Sequence, residues 1–167
     1  MAYPHTIRLM GPWQCEPLAR FVRSDQGTVV EETSALPAAC RVALPCDGIT
    51  VLGEAFRGRV RYTRRFGRPG NLDPHESVFL VIESVDAHGE VRLNGQRLGE
   101  IRGGETRGDA PTTEFDVTKS LHERNELVIE LETPPDGDET GAAPETRGGQ
   151  PSVGLTGEIR REIRDQG

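Results

Sequence analysis

Residues 77–98 run S-V-F-L-V-I-E-S-V-D-A-H-G-E-V-R-L-N-G-Q-R-L. The first nine are apolar at both parities, the pattern of a strand covered on both faces, and so of one lying centrally in a sheet. A polar turn at 86–89 follows, then two short alternating runs, 90–93 and 96–98, separated by Asn94-Gly95. That dipeptide is the strongest local hairpin signal, because both central positions of a type I′ turn need φ > 0. A buried strand followed by a hairpin is the beginning of an antiparallel sheet.

The same period extends outward in both directions. Residues 58–66 alternate, with Val60, Tyr62 and Phe66 on one face and Arg59, Arg61, Thr63 and Arg65 on the other. Arg64 interrupts the apolar face, either as an end-of-strand arginine reaching for water or as a partly buried guanidinium holding a carboxylate or a sugar hydroxyl. Towards the N-terminus, residues 6–10 alternate, 13–22 continue as an extended stretch, and 40–44 form a short strand stopped by Pro45. Towards the C-terminus, 113–117 is a strand. Thr118 or Asp116 caps a single helical turn over 119–124 that Asn125 ends. Leu127, Ile129 and Leu131 then alternate with Val128, Glu130 and Glu132 as the next strand. Residues 134–152 hold four Pro, four Gly and four acidic residues, with nothing apolar larger than Ala. Such a segment cannot offset the entropy of ordering and is expected to be a mobile insertion loop. Order is expected again over 153–163, where Leu155, Ile159 and Ile163 anchor a terminal strand.

Composition agrees. The 167 residues are 34% hydrophobic, 28% charged and 5% aromatic, the balance of one globular domain spanning 1–167. Gly 20 and Pro 12 are too many interruptions for a helical bundle. The net charge of −7 argues against nucleic acid as a partner, since phosphate binding depends on excess Lys and Arg. No window approaches the roughly 20 consecutive apolar residues of a membrane span, so a membrane is not an expected partner either. The first residues lack the basic start and apolar run of a signal peptide, which makes a soluble, cytoplasmic chain the expectation. Cys15, Cys40 and Cys46 form no CxxC and read as small buried or half-buried thiols.

The ordered series V60-R-Y-T-R-R-F66, F79-L-V-I-E-S-V-D-A-H-G-E-V-R-L-N-G-Q-R-L-G99, G103-G, F115-D-V-T118, N125-E-L-V-I129 and G154-L-T-G-E-I159 resembles the N-terminal sugar-binding domain of glycoside hydrolase family 2, the β-galactosidase and β-glucuronidase family. The likeness runs from about residue 40 to 163. It implies an all-β fold, a galactose-binding-like jelly-roll β-sandwich of about eight main strands in two antiparallel sheets. In that family the catalytic glutamates sit on a separate (β/α)8 barrel, and a barrel of roughly 250 residues has no room here. The resemblance therefore implies no catalytic residue in this chain.

The residues themselves also point away from catalysis. Retaining glycoside hydrolysis needs two carboxyl groups about 5 Å apart. Glu31-Glu32 and the acidic residues of 134–152 lie in turn-like or mobile sequence, and Glu83 with Asp86 is the best-placed but poor pair. G53-E-A-F-R-G58 has P-loop glycine spacing but lacks the following Lys and Ser or Thr. His5, His75, His88 and His122 show no ligand spacing, and no GxSxG occurs. No cofactor is expected. A structural calcium, which galactose-binding-like modules often carry, would draw on Glu158.

Binding remains. Sugar recognition combines an aromatic platform with groups that bond hydroxyls. Trp13, after Gly11-Pro12, is the large ring with the best claim to exposure, against the usual place of a lone Trp in the core. The candidate carbohydrate-binding residues are Trp13, Asp86, His88, Asn94, Arg102 and Arg107, on the 86–88 turn, the hairpin tip and the Gly103-Gly104 loop. For Asn94 the turn alone is a sufficient explanation. The expected function is a non-catalytic carbohydrate-binding-like module. The alternatives are a structural or protein-interaction sandwich without a sugar site, and an accessory subunit acting beside a glycosidase partner in trans.

Overall fold

The computed structural model describes residues 5–45, 51–52, 56–83, 85, 87–103, 112–133 and 154–166. Eleven strands order as β1 (His5–Arg8), β2 (Trp13–Arg23), β3 (Val29–Glu32), β4 (Cys40–Val42), β5 (Gly58–Gly67), β6 (Glu76–Ile82), β7 (His88–Leu93), β8 (Gln96–Ile101), β9 (Thr113–Asp116), β10 (Arg124–Glu132) and β11 (Ile159–Asp165). They form two antiparallel sheets. The smaller runs β1-β11-β6-β9, the larger runs β3-β2-β5-β10-β7-β8, and β4 also pairs β2. The all-β sandwich implied by the resemblance is the observed architecture. The expected loop at 134–152 lies outside the described residues.

β6 is an inner strand, as its apolar run requires. Val78, Leu80 and Ile82 point into the core, while on the other face Val81 is also buried. Phe79 lies under the Arg164 guanidinium, 4.2 Å from its ring centroid. In the larger sheet Val60 and Tyr62 on β5, Leu127, Ile129 and Leu131 on β10, and Val91 and Leu93 on β7 fill the facing layer. Each such aliphatic side chain taken from water contributes about 1.5–3 kcal/mol, which is why strict alternation over β10 is enough to fix its register.

The hairpin β7–β8 turns on Asn94 (φ 53°) and Gly95 (φ 81°), the left-handed pair that the Asn-Gly signal demands. Three expectations change. The segment after β9 is a turn and no helix. Asp116 Oδ1 accepts from the Thr118 amide at 3.1 Å and its hydroxyl at 2.6 Å, and the Thr118 hydroxyl oxygen also accepts from the Val78 amide at 2.9 Å. The local side-chain bonds compete with helical ones and win because the turn is tied to β6. Asn125 is the second residue of β10 and is 2% exposed. Its Oδ1 accepts from the His122 amide at 2.8 Å, so it stabilises the chain entering a strand. Finally β3, whose sequence is V-V-E-E, was not expected from the pattern; it exists because residues 20–23 of β2 offer it an open edge.

Trp13 is the larger correction. It is fully buried, and its indole N–H donates to the Leu9 carbonyl at 2.7 Å. Trp13, Cys15, Pro17 and Ala19 form the inward face of β2, so the period of that strand places the ring in the core and removes it as an exposed sugar platform. Cys15 is buried and Cys40, its cross-strand partner in register, is half-buried. Cys46 lies outside the described residues.

Candidate functional site: a charged groove on the larger sheet

The outward faces of β5, β10, β7 and β8 carry charge in registered rows. Arg59 stands opposite Glu132, Arg61 opposite Glu130 and Arg65 opposite Glu126, and each pair closes, at 3.2, 2.8 and 3.2 Å. Across the next ladder Glu130 faces Glu90 and Glu132 faces His88, while Glu90 faces Glu100 on β8. Three glutamates thus share one row. Like charges directly opposite would destabilise the sheet, and arginines relieve it. Glu90 accepts from Arg92 and, at 2.9 Å, from Arg97, and Arg97 also bonds Glu100 at 3.0 Å. The Arg92 hydrogen bond, followed by that of Arg97, holds the Glu90 carboxyl below the usual carboxylate range. Arg59 is raised: burial opposes its charge, but bonds to Glu132 and Glu31 outweigh that.

A groove of about 590 Å³ opens over these rows, lined by Arg59, His88, Glu90, Glu100, Arg102 and Glu132 among others. Its floor depends on Gly89. A Cβ there would stand 1.8 Å from the Glu130 carbonyl oxygen, so only glycine lets β7 approach β10 this closely.

Two of the sequence candidates, His88 and Arg102, meet in this groove. Asn94 does not: it sits at the far end of β7, and its amide is committed. It donates to Ser120 O at 3.1 Å and Asn125 Oδ1 at 2.9 Å, and accepts from the Glu126 amide at 2.9 Å. Asp86 and Arg107 lie outside the described residues. The groove residues that the sequence reading left aside, Arg59, Glu90, Glu100, Glu130 and Glu132, looked like ordinary solvated faces one strand at a time. Their alignment across four strands exists only in the register.

Glu158, the calcium candidate, lines a second groove with Arg8, Glu83 and Arg160 on the smaller sheet. Its carboxylate pairs with Arg8 at 3.0 Å and Arg160 at 3.5 Å. The donors around it are guanidinium groups, which suit a carboxylate and repel a cation. Among the described residues no group of three or more His, Cys, Asp and Glu could hold a metal ion. Glu83 accepts from Arg160 at 2.7 Å, so the best-placed carboxylate of the sequence reading is likewise ion-paired. Among the described residues no helix is long and apolar enough to cross a membrane.

This two-sheet frame recurs in known structures. The chain superposes on Bifidobacterium dentium β-glucuronidase complexed with coumarin-3-O-glucuronide with a TM-score of 0.67 at 21% identity, covering 99% of this chain and 31% of that one. An FMN-binding β-glucuronidase from Facaelibacterium prausnitzii L2-6 gives 0.67 at 20%, covering 99% and 23%. A family 2 β-galacturonidase from Eisenbergiella tayi bound to galacturonate gives 0.64 at 15%, covering 95% and 24%. The chain therefore spans about a third or less of the length of these proteins. No curated protein sequence matches it. Residues 54–165, from just before β5 to the end of β11, match the family described as glycosyl hydrolase 2 galactose-binding domain-like. With the sandwich, the order of its strands and that match in hand, the chain belongs to the galactose-binding-like domain family of the glycoside hydrolase 2 proteins.

Proposed function

We propose that this chain is a non-catalytic carbohydrate-binding-like module whose ligand lies across the groove of the larger sheet. The observation that supports this reading is the convergence of His88 and Arg102 on a groove of saccharide size, over rows of arginine and glutamate. Such rows offer planar donors beside acceptors, the pairing that vicinal hydroxyls need. Arg102 is exposed and carries no ion pair among the described residues. The carboxylates of the groove are poorly suited to bond cleavage. A general acid needs a raised pKa, whereas Glu90 is held low by Arg92 and Arg97 and Glu130 is bound by Arg61.

Calorimetry and amide NMR at millimolar sugar, with neutral, acidic and amino saccharides, test the reading. A saturable response centred on His88 and Arg102, weakened at least tenfold in Arg102→Ala, is the expected result.

A second reading, a structural or interaction sandwich that buttresses a glycosidase or serves it in trans, draws on one observation. Trp13 and Tyr62 are both 0% exposed, so neither ring can stack on a sugar. Silence across the saccharide panel, with recovery of a glycosidase on the immobilised chain, favours that reading over the first.

A further inference from the structure

Two arginines on core-facing positions, Arg161 buried and Arg64 half-buried, stand apart from the rest. Arg64 lies on the core-facing side of β5, in register with Leu127 of β10. Arg161 lies on the core-facing side of β11, in register with Leu80 of β6 and Ile7 of β1. They project from opposite sheets towards the same place. The Arg161 guanidinium sits 4.7 Å from the centroid of Phe66, which is the next inward side chain after Arg64 on β5. Arg161 is 8% exposed.

Each guanidinium donates to one backbone carbonyl. Arg161 Nη1 donates to the Gly67 carbonyl at 2.8 Å, and Arg64 Nη1 reaches the Pro12 carbonyl at 3.4 Å. The Nε of both is buried and has no hydrogen-bond partner among the described residues. Burial, and then the neighbouring charge of Arg64, pull Arg161 below its ordinary value. On the outer faces Arg59, Arg61, Arg65, Arg92, Arg97, Arg160 and Arg164 are each paired with glutamate. Arg64 and Arg161 have no carboxylate partner among the described residues. A buried donor left unmade costs free energy, and a buried charge without a counter-charge costs more. Two such cations, near enough for the charge of Arg64 to act on Arg161, stand without a counter-charge among the described residues.

We infer that Arg64 and Arg161 form an anion site between the sheets, which takes a carboxylate group on the two free Nε edges. The fork of a guanidinium matches the two oxygens of a carboxylate, and the Gly67 and Pro12 carbonyls hold each fork from behind. The aromatic face of Phe66 fixes the plane of the Arg161 guanidinium. This site is independent of the outer groove: it uses neither His88 nor Arg102, and its success or failure leaves the saccharide test untouched.

The experiment follows the arginine Nε–Hε NMR signals of the full chain during titration with sodium acetate, sodium sulfate and sodium chloride at constant ionic strength. Arg64→Met and Arg161→Met assign the two signals. Saturable acetate shifts of both signals, and a loss of at least tenfold in acetate affinity in either variant, are expected. Arg64→Lys and Arg161→Lys keep the charge but lose the fork, and should lose the same affinity with their folded spectra retained. If a variant at position 161 does not fold, the wild-type titration and the more exposed Arg64→Lys still decide. No saturable shift with acetate overturns the inference. So does an equal response to chloride, which would mean screening of two like charges, and so does a response to sulfate alone.

Discussion

Asn94 Nδ2 donates to Asn125 Oδ1 at 2.9 Å, joining the tip of the β7–β8 hairpin to the first residues of β10. Asn125 Oδ1 also accepts from the His122 amide, so the two side chains hold three chain segments together. Asn94→Ala removes these bonds and places a Cβ-bearing residue without local compensation at φ 53°. The expected loss is roughly 2–4 kcal/mol, measured by urea denaturation. Asn94→Gly should be the milder change by about 1 kcal/mol, because it relieves the backbone. Unchanged stability with a lost saccharide response would return Asn94 to the binding site.

Trp13 offers a direct optical check of its place, since it is the single tryptophan. Its emission should be that of a buried indole, unmoved by any saccharide and red-shifted on unfolding. Trp13→Ala should cost about 3–5 kcal/mol by opening a core cavity. A quenching response to sugar would contradict this placement.

Acid stability follows from the smaller sheet. Hydrogen bonds from Arg160, then Arg164, hold Glu162 below its ordinary value of 4.5, and Arg164 does the same for Glu114. A lowered native pKa contributes stability that is present above pH 4.5 and is lost as pH falls through the native values. The thermal midpoint should therefore drop as pH is taken below 4.5. Glu162→Gln should flatten that drop. An equal slope in the variant would remove Glu162 from the explanation.

β11 stands between β1 and β6 in the smaller sheet, and Ile159 and Leu155 belong to the core. Deleting residues 153–167 should unfold the chain, because β1 loses its partner, β6 loses one of its two ladders and the core loses two anchors. A truncated chain that still melts cooperatively would show that the remaining strands suffice.

Legibility in the sequence followed the range of each signal. The type I′ turn at Asn94-Gly95, the two-sided burial of β6 and the alternation of β10 are local, and all three are present in the fold. β3 is not local: V-V-E-E becomes a strand because β4 covers only residues 13–15 of that edge of β2 and leaves residues 20–23 open to it. Trp13 was readable from the period of β2, yet the position after Gly11-Pro12 made an exposed ring look plausible. Of the candidate site, His88 and Arg102 were legible as rim residues, while the Glu130–Glu90–Glu100 row was not, because adjacent strands in space are far apart in the chain.

Amino-acid order alone was enough for the class of fold, since period-two burial and turn chemistry act over a few residues and need no knowledge of neighbours. It also settled the family, through an ordered series of short motifs. What lay beyond it was which charges meet. Arg64 and Arg161 are 97 positions apart by number and come from different sheets, and only packing of the two layers turns them into one site. Electrostatics falls off over ångströms in space, not along the chain, so the sites of a sandwich are decided by register and by the facing of its sheets.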